Sequence, residues 1–420
     1  MSAIDRTEVF DHGVLRFLTA GSVDDGKSTL IGRLLYDTKA ILADQLAAIR
    51  RSSQRRGQEL DLSLLTDGLI AEREQGITID VAYRYFATAV RKFIIADAPG
   101  HAQYTRNMVT AASTADLAII LVDARQGVVT QTRRHATLAH LLGIEHLVVA
   151  VNKMDLVDYS AERFSAIVDD FLEFAERSGI DGVRFVPMSA LEGDMVVDRG
   201  DNLSWYEGPT LLQILETVEV VSALDGAQFR FPVQYVARPT GAHGRGYMGR
   251  VESGSIAVGD AVTVLPAGLT TRVREIRSFE GAQSHAALHA AVTIELEDEI
   301  DVARGDMLVQ ADAGLSPVRS VEADVCWLSA SPLDVQRRYI LRHTTRELRT
   351  RVTSIDYLWN VATQAQEPSP PALAMNDIGR VVLALGEPLF GDRYSDNPAT
   401  GSFILIDEAS NSTVAAGMIR

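Results

Sequence analysis

The octapeptide Gly21-Ser22-Val23-Asp24-Asp25-Gly26-Lys27-Ser28 constrains this chain more than any other stretch. It fits the pattern G-x-x-x-x-G-K-[ST], in which glycines permit a tight turn and several backbone N–H groups converge on phosphate oxygens. Such a turn works between a strand and the first turn of a helix, whose positive dipole end then faces the same anion. The flanks supply both. Leu15-Arg16-Phe17-Leu18-Thr19 reads as a strand, and Thr29 to Tyr36 has amphipathic helical spacing that begins at about Lys27. Lys27 is expected to reach the β- and γ-phosphates, and the Ser28 hydroxyl to ligand Mg²⁺. Asp24 and Asp25 are awkward beside a polyanion, so either only their backbones face it or a cation intervenes.

The rest of the chain agrees with that demand. From Val14 to about Val221, short apolar strands (Phe93 to Ala96, Leu117 to Val122, Leu147 to Val151) alternate with stretches of helical spacing such as Thr132 to Leu142 and Ala161 to Ser178. This pattern predicts an α/β domain, mostly parallel in its sheet, with helices on both faces. After Gln228 the texture changes to closely spaced strands broken by Gly and Pro, among them Phe231 to Ala237, Tyr247 to Val251, Ala261 to Leu265 and Val292 to Leu296. Two small antiparallel β-barrel domains are expected there. The division is a nucleotide domain over 1–225, a barrel over 228–315 and a second barrel over 318–420. Gln364 to Pro371 reads as a loop, and the acidic run Glu295 to Asp301 as a strand end and turn.

Composition narrows the function classes. With 40 basic and 56 acidic residues the formal charge is −16, which argues against broad adhesion to nucleic acid or anionic lipid, though not against a local basic patch. The one cysteine, Cys326, reads as a small apolar residue in a strand of a reducing-compartment protein. Met1 to Phe10 has no apolar core, and the run Leu117 to Val122 is too short to span a bilayer, so a cytoplasmic location without a membrane role is expected.

Three further signals follow the phosphate loop in order. Asp97-Ala98-Pro99-Gly100 closes the strand Phe93 to Ala96 and fits D-x-x-G. Asp97 would hold a water of Mg²⁺, and the Gly100 N–H would touch the γ-phosphate. Asn152-Lys153-Met154-Asp155 follows the strand Leu147 to Val151. A carboxylate at Asp155 accepts two hydrogen bonds from guanine, at N1–H and the exocyclic amine. Adenine lacks that N1–H, and sites built on such bonds discriminate by roughly four to five orders of magnitude. Ser189-Ala190-Leu191 fits a second base loop, with the Ala190 N–H on the guanine oxygen. Thr78, within Glu74-Gln75-Gly76-Ile77-Thr78-Ile79-Asp80, is assigned to a switch segment where its hydroxyl completes the Mg²⁺ shell and its N–H senses the γ-phosphate. His101, directly after Gly100, would orient the attacking water. The nucleotide-contacting set is therefore Gly21 through Thr29, Asp97 through His101, Asn152 through Asp155 and Ser189 through Leu191, with GTP or GDP and Mg²⁺ as ligands. Lys27, Thr78 and His101 carry the catalytic roles. Ser28, Thr78 and Asp97 serve the metal. No arginine finger is evident, and it stays open whether Arg125 or another basic residue assists hydrolysis.

These residues resemble the translation-factor GTPases of the elongation factor Tu type. The resemblance continues through Gly246-Tyr247-Met248-Gly249-Arg250-Val251-Glu252-Ser253-Gly254, Val258-Gly259-Asp260 and Asn376-Asp377-Ile378-Gly379-Arg380-Val381. A narrower match is to the large, GTP-hydrolysing subunit of bacterial sulfate adenylyltransferase. It rests on Gly21 through Asp37, Asp67-Gly68-Leu69, Glu72 through Asp80, Gln103-Tyr104-Thr105-Arg106-Asn107-Met108, Ala399 through Asp407 and Gly417-Met418-Ile419. That resemblance implies a small catalytic partner subunit, as a heterodimer or higher assembly. The partner binds ATP and sulfate and forms adenosine 5′-phosphosulfate and pyrophosphate, driven by GTP hydrolysis on the large subunit. Some relatives carry a fused adenylylsulfate kinase, and no second phosphate loop is expected before Arg420. Ser22 and Asp25 depart from the histidines usual in bacterial elongation factors. This weakens the alternative, a translation elongation factor delivering aminoacyl-tRNA.

Overall fold

The computed structural model describes residues 13–41, 43–44, 46–47, 49–50, 62–65, 81–98, 105–220, 224–238, 244–361 and 363–420. Contacts divide the chain into two units, Met1–Val220 with Val361–Ala365, and Val221–Asn360 with Gln366–Arg420.

The first unit holds a six-stranded sheet. Its strands are β1 (Val14–Ala20), β2 (Ala82–Ala87), β3 (Lys92–Asp97), β4 (Leu117–Asp123), β5 (His146–Asn152) and β6 (Arg184–Pro187), in the order β2-β3-β1-β4-β5-β6. All neighbours are parallel except β2, which runs antiparallel to β3. Every residue of β4 is buried, as a strand covered on both faces requires. Its helices include α1 (Lys27–Asp37), α2 (Thr105–Ala112), α3 (Thr130–Leu141), α4 (Ala161–Ser178) and α5 (Leu211–Thr217). Local chemistry fixes their ends. Ser160 caps α4 by accepting from the Arg163 N–H, and Gly179, at φ 68°, stops it. Thr210 and Gln213 form a reciprocal capping box at the start of α5. On the face bearing Phe17, Phe86 and Phe93, the last two rings stack at 4.5 Å.

β1 lies between β3 and β4, so chain direction diverges on its two sides. The C-terminal ends of β1, β3, β4 and β5 therefore deliver residues 21, 97, 123 and 152 to one edge, the place where open α/β sheets bind ligands.

The second unit carries two closed barrels. In the first, strands run in the order Ala261–Leu265, Met307–Gln310, Arg230–Ala237, Gly246–Arg250, Ala291–Leu296 and Leu269–Ser278, which pairs back to Ala261–Leu265. Phe229, Phe231, Val233, Ile276 and Ile294 fill it. The second closes Tyr339–His343, Ser402–Asp407, Thr413–Ile419, Val318–Trp327, Ile378–Leu389 and Arg346–Asn360 in the same way, around Trp327, Leu341, Leu383 and Leu405. Cys326 is buried in strand Val318–Trp327. One expectation needs correction. Ala365–Pro368, read as loop, is a short exposed strand at the sheet's rim. A rim strand tolerates Pro, and its pairing comes from the long strand Arg346–Asn360 rather than from local propensity. Among the described residues no helix is long and apolar enough to cross a membrane.

Candidate nucleotide-binding site

Residues 21–26 turn β1 into α1. Gly26 sits at φ 93° and Asp24 at φ 67°. Gly26 has no room for a side chain, because a Cβ there would lie 2.5 Å from Asn152 Nδ2. Asp25 turns its buried carboxylate back onto the loop, where it accepts from the Ser22 N–H at 2.5 Å. Burial pushes this carboxyl up to about 6, against the pull of Lys27 and of the Ser22 hydrogen bond. The charge that looked awkward beside a phosphate is thus inward, bonded and weakened.

Lys27 is buried, and its Nζ donates to the carbonyls of Gly21 at 3.0 Å and Ser22 at 2.9 Å. Burial lowers its pKa, while Asp97, Asp25 and Asp24 oppose that shift. Asp97, at the end of β3, is buried and accepts from Thr19 Oγ1 at 3.4 Å. The Ala98 N–H donates to the Thr19 carbonyl at 3.2 Å. The buried Ser22 Oγ has no hydrogen-bond partner, so a polar atom within the loop is left for a ligand to satisfy.

The second half of the site is tied to the first by one side chain. Asn152 Nδ2 donates to the Asp25 carbonyl at 2.8 Å, and Asn152 Oδ1 accepts from the Ala190 N–H at 2.9 Å. Asp155 Oδ1 accepts from Ser189 Oγ at 2.6 Å, which fixes the carboxylate's rotation. The Met154 N–H donates to the Met188 carbonyl at 3.1 Å, joining the two base loops through main chain. Leu191 is turned out and 60% exposed.

The structure therefore assembles the Gly21–Thr29 region, Asp97–Ala98, Asn152–Asp155 and Ser189–Leu191 at one sheet edge. Thr78, Pro99, Gly100 and His101 lie outside the described residues.

Sequence reasoning did not find three supports. Arg33, on α1, donates through Nε to the Ala190 carbonyl at 3.2 Å and through Nη2 to the Leu191 carbonyl. Asp123, at the end of β4 and in register with Asn152, bonds both Arg125 and Lys153. Arg163, on α4, donates to the Ala124 carbonyl at 2.6 Å and the Arg125 carbonyl at 3.0 Å. Only Asp123 carried a signal, as a carboxylate at a strand's C-terminal end.

The elongation factor Tu GTP binding domain family matches residues 12–226, and the GTP-eEF1A C-terminal domain-like family matches residues 320–420. Sulfate adenylyltransferase subunit 1 of Salmonella arizonae is 54% identical over 411 residues, 97% of this chain and 85% of that protein. The chain belongs to the sulfate adenylyltransferase subunit 1 family of elongation factor Tu-type GTP-binding proteins. Among solved structures, Sup35 complexed with GDP is 24% identical, covering 100% of this chain and 96% of that one, with a TM-score of 0.44. The bacterial selenocysteine-specific elongation factor EF-Sec is 20% identical, covering 96% and 58%, with a TM-score of 0.45. The α/β domain followed by antiparallel barrels is the architecture expected from the sequence.

Proposed function

We propose that this chain is the GTP-hydrolysing subunit of a cytoplasmic sulfate adenylyltransferase. Its GTP hydrolysis drives a smaller partner subunit to form adenosine 5′-phosphosulfate and pyrophosphate from ATP and sulfate. The observation that carries the reading is the 54% identity to a subunit 1 protein along 97% of the chain. The joined Asn152, Asp155, Ser189 and Ala190 support guanine as the base. Residues 1–225 form the nucleotide domain in this reading, and 228–315 and 318–420 the two barrels.

The residues fit the nucleotide and its ion. The loop N–H groups and the α1 N-terminus face a phosphate position, and Lys27 supplies the compensating charge. Ser28 and Asp97 offer hard oxygen donors, the set that Mg²⁺ takes. Among the described residues no group of three or more His, Cys, Asp or Glu converges. The ion would therefore lean on phosphate oxygens, water and the Thr78 hydroxyl. Mg²⁺, when bound, neutralises phosphate charge as the bond to the γ-phosphorus breaks. His101 orients the attacking water, and the Gly100 N–H reads the γ-phosphate.

The test is GTP turnover by the purified chain, with and without the partner subunit, ATP and sulfate. Turnover should rise severalfold only when all three are present. In single-turnover assays His101→Ala should hydrolyse bound GTP at least tenfold more slowly while retaining nucleotide. Turnover indifferent to the partner would defeat the subunit reading.

A further inference from the structure

Arg125 looks in sequence like a basic residue free to help at the cleaved phosphate. Its surroundings say otherwise. Asp123 is the last residue of β4, and its side chain is fully buried. Asp123 Oδ1 accepts from the Arg125 main-chain N–H at 2.9 Å and from Arg125 Nε at 3.1 Å. Oδ2 accepts from Arg125 Nη2 at 2.6 Å and from Lys153 Nζ at 3.0 Å. Lys153 Nζ also donates to the carbonyl of Asp24 in the phosphate loop. One ammonium is therefore shared between Asp123 and the loop, and the Arg125 fork sets the angle of the carboxylate that shares it.

The surrounding turn is built to hold this arrangement. Arg163 grips the carbonyls of Ala124 and Arg125, and the Ala124 N–H donates to the Asn152 carbonyl at 2.9 Å. Gly127 turns the chain at φ 78°. Lys153 itself sits at φ 62°, a left-handed conformation that an unbranched residue adopts only where its surroundings compel it. Two cations on one buried carboxylate hold that group ionised, and a bidentate guanidinium adds direction that a point charge lacks.

We propose that Arg125 is a positioning residue for the bound guanine nucleotide: through Asp123 it locks Lys153 onto the phosphate loop, and so sets how long the nucleotide stays. The inference rests on reading this site as a guanine-nucleotide site. It separates residence time from chemistry. The guanidinium is committed to Asp123, beside the base loop, and takes no part at the γ-phosphate. It also leaves the Asp155 contacts with the base edge untouched, so the loss should be blind to the exocyclic amine.

The experiment measures dissociation of fluorescent GDP and IDP, and single-turnover hydrolysis of bound GTP, in the full chain. Arg125→Ala should release both nucleotides about tenfold faster, as expected for one lost charge-assisted contact, with hydrolysis of bound GTP unchanged. Arg125→Lys, which keeps charge but loses the fork, should fall between. In a Lys153→Ala background, Arg125→Ala should add less than about twofold, because both act through one contact. Unchanged dissociation, slower hydrolysis with normal dissociation, or additive effects with Lys153→Ala would each overturn the proposal. A wild-type chain that binds no GDP would instead defeat the reading of the site on which it stands.

Discussion

Asp25 shows how a single carboxyl is made tolerable under a polyanion. Its pKa of about 6, against the ordinary 3.8, means that the folded chain holds this proton more tightly than the unfolded one. The resulting stability is complete below about pH 4 and is lost as pH rises through about 6. Asp25→Asn, which keeps an acceptor for the Ser22 N–H without the buried charge, should therefore be more stable than the wild type by about 3 kcal/mol at pH 8. The gap should close near pH 4, and thermal melting at both pH values measures it. At this scale the sequence was generous. Lys27, Asn152, Asp155 and Ser189 were legible because each sits within a short motif whose spacing is its chemistry. Arg33 was not. It meets Ala190 across 157 positions of chain, and no local pattern encodes such a contact.

Elements were legible where period and burial coincide. β4 and β5 read directly from their apolar runs, since both faces of a central strand are covered. Strand Ala365–Pro368 did not, because its partner strand and not its composition makes it extended. Helix α1 was legible in its start and its amphipathic face, but not in why Gly32 occupies its middle. A Cβ at Gly32 would run into the Leu62 carbonyl of the short turn Leu62–Leu65. Helix propensity alone favours alanine there by about 1 kcal/mol. Backbone overlap should reverse that sign, so Gly32→Ala is expected to lose about 2 kcal/mol, read from the urea midpoint of unfolding. A gain in stability would mean that the turn yields without cost.

At the scale of the molecule, each barrel closes on itself and leaves only a short strand at its rim, and the two are joined within the second unit by a nearly buried ion pair. Arg230, in the first barrel, meets Asp392 in the second through two 3.0 Å hydrogen bonds, and Thr400 Oγ1 also donates to Asp392 at 2.5 Å. Arg230→Ala would strand that carboxylate, at a cost of about 3–5 kcal/mol. The calorimetric transition of this unit should move to lower temperature and split as the barrels melt separately. A single unshifted transition would show that the pair contributes nothing. The sequence revealed two barrels but not this rivet, whose halves lie 162 positions apart. The first unit has its own connection in Asn152, one amide spanning the turn after β1 and the loop after β6. If a nucleotide sits with its phosphates on the first loop and its base on the second, this shared amide would make its departure concerted, since neither end could be let go while the other stayed clasped. A protein that hastens exchange would then not need to enter the pocket, because tilting the C-terminal end of β5 would unfasten both grips together.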